Sequence, residues 1–268
     1  MMEDATVSHR SRLWLYGYCL VLAIFLLVPV FIIVPMSFSP GEFLEFPPRS
    51  LSLRWYESFF ASAEWMDSAM LSLKVAVLTM LIATPLGVAA SYGLHQSTNP
   101  FAGFIRSVLI VPLVIPVIII AIGVFYLYAR IGLINTIAGL VLAHTVLALP
   151  FVLIITSAGL QQFDMNQERV AMSLGATRLG AFFSVTAPQI KASLTSAAFF
   201  AFITSFDEVV IALFISRGAS STLTRKMFTS LRDQVSPTIA AISTMLILLT
   251  VVLAALTLWI SSRHRATT

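Results

Sequence analysis

Runs of about 20 or more apolar residues recur along this chain, and that is the length a helix needs to cross a bilayer core. In lipid every backbone N–H and C=O must find a partner within protein, so spanning segments form helices or closed barrels. The alternating ten-residue segments of an outer-membrane barrel are absent. Only 10% of the 268 residues are charged, against about a quarter in soluble domains, and mean hydropathy is +0.94. The chain reads as an all-α, polytopic membrane protein.

The apolar runs place six transmembrane helices, at about residues 13–38, 67–95, 104–128, 136–157, 192–215 and 237–261. The first follows His9, Arg10 and Arg12; it is too long for a signal-peptide core and no small-residue cleavage site follows it, so it is read as a retained helix. Pro29 and Pro35 are candidate kinks within it. A polar stretch at 39–65 carries Trp55 and Tyr56, residue types that anchor at the membrane interface. Pro112 and Pro116 interrupt the third run, which should bend or break there. Six spans put both termini on one side. The basic flanks Arg10, Arg12, Arg263 and Arg265 assign that side to the cytosol, against the bias of Arg217, Arg225, Lys226 and Arg232 in an opposite loop. The organisation is then 1–66, cytosolic N-terminus, first helix and outer loop; 67–262, a five-helix core with a soluble elbow at about 158–190; and 263–268, a cytosolic tail.

Several function classes find no support. The net charge of +4 belongs to scattered loop residues, with no Lys/Arg run of a nucleic-acid-binding kind. Cys19 is the lone cysteine, and the histidines at 9, 95, 144 and 264 form no ligand-spaced pair, so no metal site is read. There is no Walker A loop, no G-x-S-x-G and no H-E-x-x-H, so the chain itself is read as neither an enzyme nor a cofactor binder.

The soluble interruption is the informative segment. It contains Gln167-Glu168-Arg169-Val170-Ala171-Met172-Ser173-Leu174-Gly175-Ala176 and, further on, Val185-Thr186-Ala187-Pro188. Asp164 and Asn166 are candidate caps, Glu168 falls in a first turn, and Gly175 is a C′ stop. A second short helix at 181–186 should end at Pro188. Two short helices around a glycine make a stiff knob, which a channel does not need and a transporter driven by a separate motor does. An amphipathic helix lying in the interface is the other reading of the same residues, and the physics alone leaves both open.

Those residues resemble the cytosolic-loop motif of bacterial ABC importer permeases, E-A-A, three residues, Gly, nine residues, I-x-L-P. Arg169-Val170-Ala171 falls on E-A-A with Glu168 one position early; Gly175 and Pro188 match at the family spacing, and Arg169, Val170 and Ala187 depart from it. Ser52-Leu53-Arg54-Trp55-Tyr56, Ser72-Leu73-Lys74-Val75-Ala76, Phe206-Asp207-Glu208-Val209-Val210 and Ser236-Pro237-Thr238-Ile239-Ala240-Ala241 look like the same permeases, most like the second permease of spermidine/putrescine-type importers. The resemblance implies a bacterial inner-membrane, multi-pass permease whose outer loop is periplasmic. It implies a second permease chain in a heterodimer, two cytosolic ATPase subunits that bind ATP-Mg, and a periplasmic or tethered solute-binding protein. The solute would be a polyamine, with 4-aminobutyrate, opines and phosphonates carried by related branches. The elbow residues Glu168, Arg169, Val170, Ala171, Met172, Leu174, Gly175, Ala176 and Pro188 would dock the ATPase.

Asp207 and Glu208 are acids about 16 residues, or about 24 Å of helix, into the fifth span, where a charge is costly enough to mark function. They would either bind a protonated amine or hold a helix break or gate; the family uses acids here for anionic solutes too, which favours the second. Adjacent helix positions differ by about 100°, so one should face the path and the other a neighbouring helix, near Lys74. Lys74 would otherwise snorkel to the outer surface. Phe206, Tyr126 and Tyr128 are path-lining candidates with helix packing as the alternative. A self-contained secondary transporter or channel would need coupling charges in several spans, and spans one, three, four and six carry almost none.

Overall fold

The computed structural model describes residues 13–233 and 236–265, and among them the regular structure is entirely helical. In chain order the helices are α1 (Leu13–Met36), α2 (Arg54–Ala61), α3 (Ala63–Gln96), α4 (Ala102–Ile110), α5 (Val117–Ile131), α6 (Ile137–Gln162), α7 (Asn166–Ser173), α8 (Arg178–Ala181), α9 (Ala187–Gln189), α10 (Lys191–Phe206), α11 (Val210–Ile215), α12 (Leu223–Asp233) and α13 (Pro237–Arg265). Arg10 and Arg12, and the tail beyond Arg265, lie outside the described residues.

Among the described residues four helices are long and apolar enough to cross a membrane: α1, α3, α6 and the Pro237–Thr257 part of α13. The third expected span is α4 and α5, bent by 95° at the break between them. A 3-10 turn at Val111–Leu113 and Pro116 just ahead of α5 make that break, as the prolines led one to expect. The fifth expected span differs from the apolar run. It is α10 followed by α11, separated at Asp207–Val209. With 16 residues α10 covers about 24 Å, short of a bilayer core of about 30 Å.

The chain divides into two compact units, with a boundary between Ala61 and Ser62. Of the described residues the first comprises 13–61 and 236–247, which takes in the start of α13. Part of the polar stretch read as loop is helix α2. Tyr56, an expected interface anchor, also ties this unit together: its hydroxyl shares a 2.7 Å hydrogen bond with Ser37 Oγ and its ring lies 5.3 Å from that of Phe38.

In the second unit α3, α6 and α10 pack side by side. Ala83, Ala148, Ala197 and Ala201 line their contacts with Val152, since small residues let apolar helices approach closely without a solvent-driven force between them. At Gly87 a Cβ would stand 2.5 Å from Val152 Cγ1, so only glycine permits that crossing. Ser91 and Ser157 share a buried 2.8 Å hydrogen bond between α3 and α6. α5 and α11 close the other end around Val75, Tyr128, Leu140, Ile211 and Ile215. The loop expected at 217–236 carries helix α12. Lys226 pairs there with Glu64 at 2.9 Å and lies 4.9 Å from the Trp65 ring centre, so part of the opposing basic charge is met within the chain.

Candidate functional site

Two features of the second unit are built from the singled-out residues: the elbow between α6 and α10, and the break between α10 and α11.

The elbow begins at Phe163, because α6 runs to Gln162 rather than ending near residue 157. Asp164 Oδ1 accepts the Asn166 N–H at 3.0 Å and opens α7. Gly175 ends it with φ +98, a backbone state that L side chains rarely adopt. Around it Ala176 N–H reaches Ala171 O at 3.1 Å and Gly175 N–H reaches Met172 O at 3.0 Å, the paired bonds of a Schellman stop. Thr177 then caps α8 through Gly180 N–H at 3.1 Å. The second arm differs from the expected 181–186 helix: α8 starts it early, a π-turn spans Phe182–Thr186, and α9 carries it past Pro188 to Gln189. Pro188 sits in the first turn of α9, where its missing N–H costs nothing, so it does not end the arm.

Glu168 is the principal departure. The sequence puts it among the docking residues, but it is 1% exposed and lies beneath the elbow. Its carboxylate accepts from Tyr92 Oη and Gln96 Nε2 at the end of α3, the latter at 2.9 Å, and from Thr186 Oγ1 of the π-turn. Arg178 donates to Gln96 Oε1. One carboxylate thus staples both elbow arms to α3. Burial pushes the Glu168 carboxyl up, but the hydrogen bonds from Thr186, Tyr92 and Gln96, with the Arg178 charge, outweigh it and hold the group below its usual 4.5. Beside this staple Phe182 packs edge-on against Tyr92 at 4.8 Å, and Leu160, Phe163 and Ile190 form a small apolar base.

Of the other expected docking residues, Arg169, Val170, Leu174, Gly175 and Pro188 are exposed, and Ala171, Met172 and Ala176 are half-buried. Leu174 is 83%, Leu179 71%, Phe183 69% and Val170 57% exposed. Four large apolar side chains held out from a fixed base form a surface suited to contact with another body.

The staple sets an expected result. Glu168→Ala leaves Tyr92, Gln96 and Thr186 without their acceptor, at about 1–3 kcal/mol for a buried unpaired group. Amide exchange of residues 166–186 should then quicken about tenfold or more while that of α6 is unchanged; equal exchange in both proteins would remove the staple's role. A carboxyl held below its unfolded value stabilises fully above that value, so the grip persists at neutral and mildly acid pH and is lost as pH falls through the lowered pKa.

At the break, where neither acid lies on α10 or α11, the two have different surroundings. Asp207 is exposed and Glu208 is buried. Glu208 Oε1 accepts the Ile211 N–H at 2.9 Å and Oε2 the Ala212 N–H at 3.1 Å. A helix that starts inside a membrane exposes free N–H groups, and this carboxylate satisfies two of them. Thr224 Oγ1 donates to Glu208 O at 3.0 Å, which meets the backbone on the other side. Lys74 is exposed on α3 and makes no ion pair with either acid; Glu208 is already held by the N–H groups of α11. Phe206 stacks on Phe202 at 5.6 Å along its own helix. Tyr128 is buried against α11 and its neighbours, whereas Tyr126 is exposed.

Sequence reasoning missed Tyr92, Gln96, Thr186 and His144. His144 faces Glu208 and Ser205, partners some 60 positions away in the chain. The available signal was an ionisable side chain within an apolar span, which marks a site whether or not a ligand-spaced partner is nearby.

Residues 83–266 match the family described as binding-protein-dependent transport system inner membrane component. The chain belongs to that family and is an ABC importer permease, an inner-membrane, multi-pass protein. It is 31% identical over 236 residues to the putrescine transport system permease protein PotI of Escherichia coli (strain K12), covering 83% of this chain and 82% of the relative. The spermidine/putrescine transport system permease protein PotC of the same strain is 24% identical, covering 91% and 92%. Among solved structures, a bacterial ABC transporter that imports the acidic polysaccharide alginate superposes with a TM-score of 0.72 at 15% identity, over 93% of this chain and 96% of that one. An amino acid ABC transporter with histidines gives 0.60 at 20% identity, over 78% and 98%. At those identities the structures establish the fold.

Proposed function

We propose that this chain forms half of the translocation pathway of an ATP-driven importer for a small organic amine of the polyamine kind. The observation that carries the reading is the elbow: a soluble knob with exposed Val170, Leu174, Leu179 and Phe183, stapled to α3 through one buried carboxylate. Such a part transmits force between two packed states, for which rigidity matters more than affinity. The similarity to PotI and PotC supports the amine class. The partners are a second permease chain, two ATPase subunits holding ATP-Mg, and a solute-binding protein on the opposite side. The elbow and both termini face the cytosol.

Cells carrying the complete importer should take up radiolabelled putrescine in an ATP-dependent way, and lose that uptake when this chain is deleted. Spermidine should compete better than 4-aminobutyrate or a phosphonate. The purified chain alone in liposomes should pass no putrescine; passage without an ATPase would make it a self-contained transporter.

Sidedness has its own check. With Cys19 replaced, cysteines at Thr98 and Leu179, both exposed, should resist an impermeant thiol reagent in intact cells. A cysteine at exposed Ser50 should react. Labelling of Leu179→Cys from outside would overturn both the orientation and the ATPase-docking role.

A further inference from the structure

His144 is not accounted for by the elbow or by the family likeness. It lies in α6 where α3, α6 and α10 meet, and it is fully buried. Its Nδ1 is 2.8 Å from Ser205 Oγ, which is in turn 3.2 Å from Thr79 Oγ1. Its Nε2 is buried without a hydrogen-bond partner and faces Glu208 Oε2 at 3.6 Å. That separation is too long for a hydrogen bond, and a closure of about half an ångström would make one.

Ser205 has a single hydroxyl proton. When that proton goes to Thr79, Ser205 accepts from His144, the imidazole proton sits on Nδ1, and Nε2 turns a lone pair toward the carboxylate. When Thr79 donates to Ser205 instead, the Ser205 proton goes to Nδ1, and the imidazole proton sits on Nε2 and points at Glu208. The same four side chains thus support two hydrogen-bond arrangements, and only the second joins α6 to the break. Glu208 Oε2 is also the oxygen that holds the Ala212 N–H. Drawing it toward His144 loosens the start of α11, whose far end is fixed by Asn135 N–H on Ile215 O at 2.8 Å.

Resting on the permease reading above, we propose that Thr79, Ser205, His144 and Glu208 form a latch on the broken helix. His144 is its positioning residue, and the latch closes in one orientation of the permease and opens in the other. The unpaired Nε2 is the mark of the open position. A bistable contact of this kind converts a small shift at the elbow into a discrete change at the break, because packed helices rearrange between states rather than deform continuously.

The test uses the complete importer with this chain unmodified, as His144→Leu, and as His144→Gln. Leucine fills the space and removes both nitrogens; glutamine keeps a polar group that can bridge. The readouts are putrescine uptake, ATP hydrolysis with and without the binding protein, and recovery of the ATPase subunits on purification. His144→Leu should lower uptake about tenfold and make hydrolysis independent of the binding protein, with subunit recovery and melting temperature unchanged. His144→Gln should restore part of both. A coupled, transporting His144→Leu importer overturns the latch. So do equal losses in the two variants, or a loss that tracks subunit recovery or melting. If the unmodified importer hydrolyses ATP but takes up no putrescine, the solute assignment fails while the hydrolysis ratio still reports on the latch. If the unmodified chain recruits no ATPase, the permease reading fails and the latch goes with it.

Discussion

Replacing Gly175 with valine should reduce ATP-driven solute uptake at least about tenfold while the membrane helices still insert. The position has φ +98 and open space around it, so the cost comes from the backbone and not from a clash. A β-branched residue there carries a penalty of about 1–3 kcal/mol. The chain would relieve it by giving up the bonds of Ala176 to Ala171 and of Gly175 to Met172, which set the angle between the elbow arms. Leu174, on one side of the turn, and Leu179, on the other, would then no longer be presented together. Gly175→Asn is the control, because asparagine visits the left-handed region at lower cost. It should keep most of the uptake and most of the ATPase recovery. Valine and asparagine variants with equal, wild-type uptake would show that the elbow turn does not matter to transport.

Glu208→Ala should uncouple the importer, with ATP hydrolysed in the absence of the binding protein and uptake lost. The substitution strands the Ile211 and Ala212 N–H groups in an interior without water, a loss of about 2 kcal/mol or more. α11 should fray at its start, and the packing of Ile211 and Ile215 against Val75 and Leu140 should weaken with it. Glu208→Gln keeps one acceptor oxygen and should fall between. Asp207→Asn gives the contrast, since that side chain is exposed and supports no backbone group in α11. If Asp207 meets a protonated amine, its variant raises the putrescine concentration needed for half-maximal uptake without uncoupling. Uncoupling by Asp207→Asn and wild-type behaviour of Glu208→Ala would reverse the two roles.

The legible parts of this protein were those written in neighbouring residues. The apolar runs showed an all-α membrane chain, the Pro112 and Pro116 pair showed where the third span bends, and the Gly175 spacing showed the elbow turn together with the family it resembles. Each depends on backbone rules that act over a few positions: hydrogen bonding in lipid, the missing N–H of proline, the tolerance of glycine for positive φ. The break at Asp207–Val209 was not legible in that way, since no proline or glycine marks it and apolar residues flank it on both sides. Its charged pair was the only hint. α12 was hidden for a similar reason, because its Ser, Thr and Arg content reads as loop until Lys226 finds Glu64.

By itself, then, the sequence determined the class, the approximate spans, the elbow and the likeness to importer permeases, because local periodicity and spacing carry that information. Only the tertiary structure decided what the polar side chains do. Glu168 moved from an expected docking surface to a buried staple because Tyr92 and Gln96, more than 70 positions earlier, come to lie beneath it. Glu208 became the cap of a helix, and His144 its neighbour, because α6 and α10 pack side by side. A buried polar group is defined by its partners, and partners supplied by distant helices are set by packing rather than by any stretch of chain.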